Sequence, residues 1–123
     1  MSYPRPKNLN LFTIHFPIPA IVSILHRISG VFLFILIPFA LWGLSISLTD
    51  SGFETMQGWF NNFYIKFIFW ILFIPFCYHL VAGIRHLFSD IHLGDSLQGG
   101  RRGAVLTFII SALLIILAGI WLW

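Results

Sequence analysis

FIFWILFIPFCYHLVAGIRHLFSD, residues 67–90, is the stretch that decides how this chain folds. Residues 67–84 carry no Asp, Glu, Lys or Arg, and a block with Arg85, His86 and Asp90 follows at once. A helix rises ~1.5 Å per residue, so crossing a ~30 Å hydrocarbon core takes roughly 20 residues. Residues 67–84 reach that length if Lys66 and Arg85 extend their charged ends to the two interfaces. Within this apolar run stands His79. An ionisable side chain at membrane depth is costly to desolvate, so it marks a function and a partner.

Two further stretches lack acidic and basic residues, 28–49 and 103–123. Only 9% of the 123 residues are charged, against about 25% in an ordinary soluble domain, while 59% are hydrophobic. So few polar groups cannot cover a water-facing surface, and the composition predicts an all-α membrane protein with three transmembrane helices. The formal charge of +3 comes from basic residues spread over the span flanks. They form no basic stripe, so nucleic acid is excluded as a partner. The single cysteine, Cys77, lies inside the second span and reads as a small packing residue.

Residues 1–20, with Pro4, Pro6, Pro17 and Pro19, read as an extended arm on the cytoplasmic side. They resemble neither a signal peptide nor a transit peptide. Residues 21–123 form a single membrane domain, with spans at about 21–48, 63–88 and 104–123. Pro38 and Pro75 fall within spans, where membrane helices tolerate them. The first link, around residues 49–62, reads as a loop broken at Gly52 and Gly58. The second has turn signals at Gly94 and at Gly99-Gly100. Arg5, Lys7 and Arg27 precede or open span one, and Arg85, Arg101 and Arg102 flank the second link. The first link has no basic residue before Lys66. The positive-inside rule therefore places the N-terminus and second link in the cytoplasm, and the first link and C-terminus on the other side. A bacterial inner membrane is the expected location, ahead of the mitochondrial one.

That topology brings SILHRISG, residues 23–30, and the end of HLVAGIRHLFSD, residues 79–90, to one membrane face. His79 and His86 are seven residues apart, on one side of a helix, with His79 about 10 Å deeper. Gly83 follows His79 by four residues, where a missing side chain lets a flat macrocycle lie close. A neutral imidazole is a good axial ligand for haem iron. The shallower Arg27, Arg85, His26 and His86 suit the haem propionates at the membrane surface. A lone histidine in a membrane helix can also simply hydrogen-bond a neighbouring helix, and His86 reads equally as an interface residue. His15 and His92 read as interfacial or solvent-facing. His26 is expected level with His86, leaving no second histidine at the depth of His79. Haem is then five-coordinate, or another chain supplies the second ligand.

Ser23, His26 and Arg27 fall at i, i+3 and i+4, on one helical face. A hydroxyl, an imidazole and a guanidinium at the lipid–water boundary can hydrogen-bond a quinone carbonyl and deliver protons. The same spacing also serves an anionic-lipid contact and a helix-packing serine.

At these two blocks the chain resembles the cytochrome b subunit, the large membrane anchor, of succinate dehydrogenase (respiratory complex II). Members carry Ser-Ile-x-His-Arg-Ile/Val-Ser/Thr-Gly at the first span and His-x-x-x-Gly-Ile/Leu-Arg-His-Leu/Met-x-x-Asp at the end of the second. Here these read Ser23-Ile24-Leu25-His26-Arg27-Ile28-Ser29-Gly30 and His79-Leu80-Val81-Ala82-Gly83-Ile84-Arg85-His86-Leu87-Phe88-Ser89-Asp90. The resemblance implies His79 as a haem b axial ligand, Ser23 and Arg27 at a ubiquinone site, and His26 and His86 near the propionates. It implies a heteromeric helical bundle with a second small anchor that supplies the other haem ligand. An iron–sulfur subunit and a flavoprotein complete the implied complex. Many members have Ser-Pro-His-Leu after the early Arg-Pro, where this chain has Lys7-Asn8-Leu9-Asn10.

The expectation is thus a non-flavin membrane subunit of succinate dehydrogenase, passing electrons to ubiquinone, with no succinate-oxidising site of its own. The chain has no Rossmann fingerprint for flavin, and one cysteine where a cluster takes four. A fumarate reductase anchor would run the same chemistry in reverse. A stand-alone b-type cytochrome would need histidine pairs at two depths. A cofactor-free transporter or assembly subunit is the third rival.

Overall fold

The computed structural model describes Pro4, residues 9–10 and residues 12–123. Arg5 and Lys7, part of the topology argument, lie outside the described residues. Four helices follow one another: α1 (Ile18–Ser47), α2 (Asp50–Trp59), α3 (Phe63–Asp90) and α4 (Leu97–Leu122). The protein is all-helical among the described residues. α1, α3 and α4 are each long and apolar enough to cross a membrane, as expected from the charge-free runs.

Three boundaries differ from the sequence reading, each for a local reason. α1 starts at Ile18, because Pro17 is extended and Pro19 sits in the first turn, where its missing N–H is no loss. The link after α1 is mostly helix despite Gly52 and Gly58. Thr49 caps it, its hydroxyl accepting a hydrogen bond from the Gly52 N–H at 3.2 Å, and Asp50 in the first turn favours the helix dipole. α4 begins seven residues before the expected 104, because Ser96 accepts from the Gly99 N–H at 2.9 Å. Gly99 and Gly100 therefore open a helix instead of making a turn. The turn lies earlier, at His92 and Gly94, with φ of 62° and 83°. Pro38 and Pro75 both lie within their helices.

α3 packs on both α1 and α4, α1 also meets α4, and α2 rests on α1. The buried apolar core is small: Val22, Ala82 and Ala104 are fully enclosed, with Ile18 and Tyr78 against them. Small residues at the contact let helix backbones approach closely, which is how helices associate in lipid. The Tyr78 hydroxyl donates to the Val22 carbonyl at 2.8 Å and ties α3 to α1. At the opposite end the Trp70 indole N–H donates to the Ile115 carbonyl at 2.9 Å and ties α3 to α4. Buried Thr107 and Ser111 satisfy their hydroxyls on their own helix, donating to Gly103 and Thr107 carbonyls. Large apolar side chains point outward, with Phe34 73% and Ile120 70% exposed. Such a surface belongs in lipid or against other membrane helices.

Candidate functional site at the histidine end of the bundle

The start of α1, the end of α3 and the start of α4 meet at one end of the bundle. Here His26 of α1 lies flat on His79 of α3, ring centroids 4.2 Å apart and planes 10° apart. His86 stands on the other side of His26, at 4.9 Å and tilted by 50°. The order is His79, His26, His86. This corrects the expectation that His26 is level with His86 and well above His79. The helix spacing placed His79 and His86 properly relative to each other, but the offset between α1 and α3 is a matter of packing.

Two glycines permit the stack. A Cβ on Gly30 of α1 would come within 3.0 Å of His79 Cε1, and one on Gly83 of α3 within 3.3 Å of His26 Nε2. Each ring occupies the space that the facing glycine leaves free. The room at Gly83, expected for a macrocycle, is thus filled by His26.

His79 Nδ1 lies 3.0 Å from Ser29 Oγ and 3.1 Å from the His26 carbonyl. A carbonyl oxygen accepts only, so Nδ1 carries the proton. His79 Nε2 has no hydrogen-bond partner among the described residues and is the ring nitrogen left available to a ligand. His86 Nε2 is buried and also without a partner among them. A buried polar atom left unpaired costs about 1–3 kcal/mol, so this nitrogen is placed to meet a polar group that the described residues do not supply.

Ser23 is partly buried and Arg27 is exposed, one turn apart on α1. Arg27 and Arg85 both lie within electrostatic range of His86. The Arg85 guanidinium, however, turns to α4, donating to the Gly100 carbonyl at 3.4 Å and packing beside Gly103. His15 is exposed before α1, and exposed His92 pairs with Asp95 at 2.8 Å. Ser29 and Tyr78 were not singled out from the sequence. Ser29 follows His26 by three residues, which was the available signal, but its contact with α3 is tertiary. No group of three or more His, Cys, Asp or Glu side chains among the described residues is placed to hold a bare metal ion.

Fold and site define a multi-pass helical membrane protein with a histidine stack at one end. Over residues 1–118 the sequence matches the family described as succinate dehydrogenase/fumarate reductase transmembrane subunit, and the chain belongs to that family. Among its relatives is the succinate dehydrogenase cytochrome b556 subunit of Coxiella burnetii, 41% identical over 125 aligned positions and covering all of both chains. The protein of that name from Rickettsia prowazekii is 38% identical over 95 positions, covering 76% of this chain and 73% of the relative. The one from Paracoccus denitrificans is 31% identical over 105 positions, covering 81% and 78%. The resemblance read from the two motifs is therefore correct.

Proposed function

We propose that this chain is the haem b- and ubiquinone-binding anchor of a bacterial succinate:quinone oxidoreductase. The observation that carries this reading is His79: an imidazole with Nδ1–H held on a carbonyl and Nε2 free of hydrogen bonds among the described residues. That donor set fits a b-type haem, and the b556 relatives support the assignment. Haem, when bound, supplies reversible one-electron chemistry.

His79 would hold the haem iron through Nε2. A second ligand would come from the partner anchor, because His26 lies in van der Waals contact with His79. An imidazole binds iron through a nitrogen lone pair in the plane of its ring, so two ligands of one iron would have to face each other nitrogen to nitrogen, which two rings stacked face to face do not do. His86 Nε2, buried and without a partner among the described residues, would meet a propionate, with Arg27 and His26 beside it and Arg85, which also ties α3 to α4, close by. Ser23 and Arg27 hold a ubiquinone carbonyl at the lipid–water boundary and lead in the protons that its two-electron reduction consumes. The electrons come from the iron–sulfur subunit, and succinate is oxidised on the flavoprotein.

In the bilayer, the histidine end faces the cytoplasm, together with the arm of residues 1–20. α2 and the C-terminus lie on the far side of the inner membrane. The family also contains fumarate reductase subunits; the relatives named for succinate dehydrogenase favour the oxidative direction. The test is the visible spectrum of the purified complex. Succinate should reduce a low-spin b-type haem, and a complex with no Soret band would end the proposal.

A further inference from the structure

We infer that Ser29 is a positioning residue for His79, setting which ring nitrogen is free and how the ring is turned. This rests on His79 being the haem ligand. Ser29 is only 6% exposed. Its hydroxyl has one proton, and that proton is donated to the His26 carbonyl at 2.8 Å. Toward His79 Nδ1, 3.0 Å away, the oxygen can therefore only accept. The His26 carbonyl is the second acceptor on the same N–H. Flipping the imidazole would turn Cδ2–H toward the two acceptors, and moving its proton to Nε2 would leave the His26 carbonyl facing a bare nitrogen lone pair. Gly30, next in sequence, closes the remaining freedom by bringing backbone against His79 Cε1.

Other hydroxyls in the chain bond back to their own helix in the same way. Ser45 and Ser47 donate to the Trp42 and Leu44 carbonyls, and Thr107 and Ser111 do likewise in α4. Among the described residues, Ser29 alone also meets a side chain of another helix. Its local bond aims the lone pair; the lone pair acts on His79. An acceptor on Nδ1–H makes the imidazole a stronger donor through Nε2 and fixes its orientation. Loss of such a support typically weakens metal-group binding about 10- to 100-fold.

The test uses the complete complex, purified with its partner subunits, and reads haem dissociation and haem midpoint potential alongside activity. Ser29→Ala should speed haem loss about 10-fold or more and raise the potential, because a weaker donor favours the reduced state. Ser29→Thr keeps the oxygen and should restore both. Ser29→Cys matches the volume with a poor acceptor; it should behave as Ser29→Ala does, and it decides the matter if the alanine variant fails to assemble. His79→Leu is the control for the underlying reading. If His79→Leu keeps the low-spin spectrum, the ligand assignment is wrong and Ser29 loses its role with it. If His79→Leu abolishes that spectrum while Ser29→Ala or Ser29→Cys leaves haem loss and potential unchanged, Ser29 only satisfies its own helix and the inference is overturned.

Discussion

His26 and His79 lie face to face across the α1–α3 contact, 4.2 Å between ring centroids. Two imidazoles in contact cannot clasp one flat macrocycle between them. The hydrogen bonds on Nδ1 leave His79, through Nε2, as the member of the pair proposed to hold the haem.

Replacing His79 by Leu should remove the low-spin haem spectrum while the protein still inserts in the membrane. His26→Leu and His86→Leu should keep a low-spin haem with a shifted potential if, as proposed, they act at its edge. The readout is the reduced-minus-oxidised spectrum of washed membranes. Loss of the spectrum in His86→Leu with retention in His79→Leu would assign the wrong histidine.

The facing glycines should differ in their tolerance. Gly30→Ala forces a methyl to within 3.0 Å of the His79 ring, which is held by two hydrogen bonds on Nδ1, an overpacking that typically costs 1–3 kcal/mol. Gly83→Ala, at 3.3 Å, should cost less. Gly58→Ala, with nothing within 4 Å, should be neutral or slightly stabilising, as alanine is the better helix former. Thermal unfolding of the purified complex in detergent ranks the three.

Quinone chemistry should separate from succinate chemistry. On the proposed quinone site, Ser23→Ala and Arg27→Leu should remove a hydrogen bond or charge to the quinone, about 1–3 kcal/mol, or roughly 5- to 150-fold in succinate–ubiquinone activity. Succinate oxidation with a soluble acceptor that takes electrons upstream should survive. If both activities fall together, these side chains hold the assembly together instead.

Topology is tested by cysteine labelling in a Cys77→Ala background. Ser51, at the start of α2, and Leu93, in the turn before α4, are both exposed. Leu93 is preferable to Ser96, which caps α4. An impermeant reagent outside intact cells should label a cysteine at 51 and not one at 93. The reverse pattern would invert the orientation.

The three long helices were legible in the sequence because a charge-free run of that length has one stable conformation in lipid, where every backbone group must pair within its own segment. The heptad offset of His79 and His86 was legible for the same reason: within one helix, spacing is geometry. α2 and the early start of α4 were not, because Thr49 and Ser96 outweigh nearby glycines through single capping bonds that composition does not reveal. The stack of His26 on His79, the role of Ser29 and the turn of Arg85 toward Gly100 belong to tertiary structure alone. They depend on how far α1 slides along α3, and that register is set by contacts among Val22, Ala82, Gly30 and Gly83, on different helices. Periodicity within one helix carries no information about its offset from the next. The chain's residues thus determined which side chains lie on one face and at one end of the membrane. Close packing decided which of them touch, and so which nitrogen is left free.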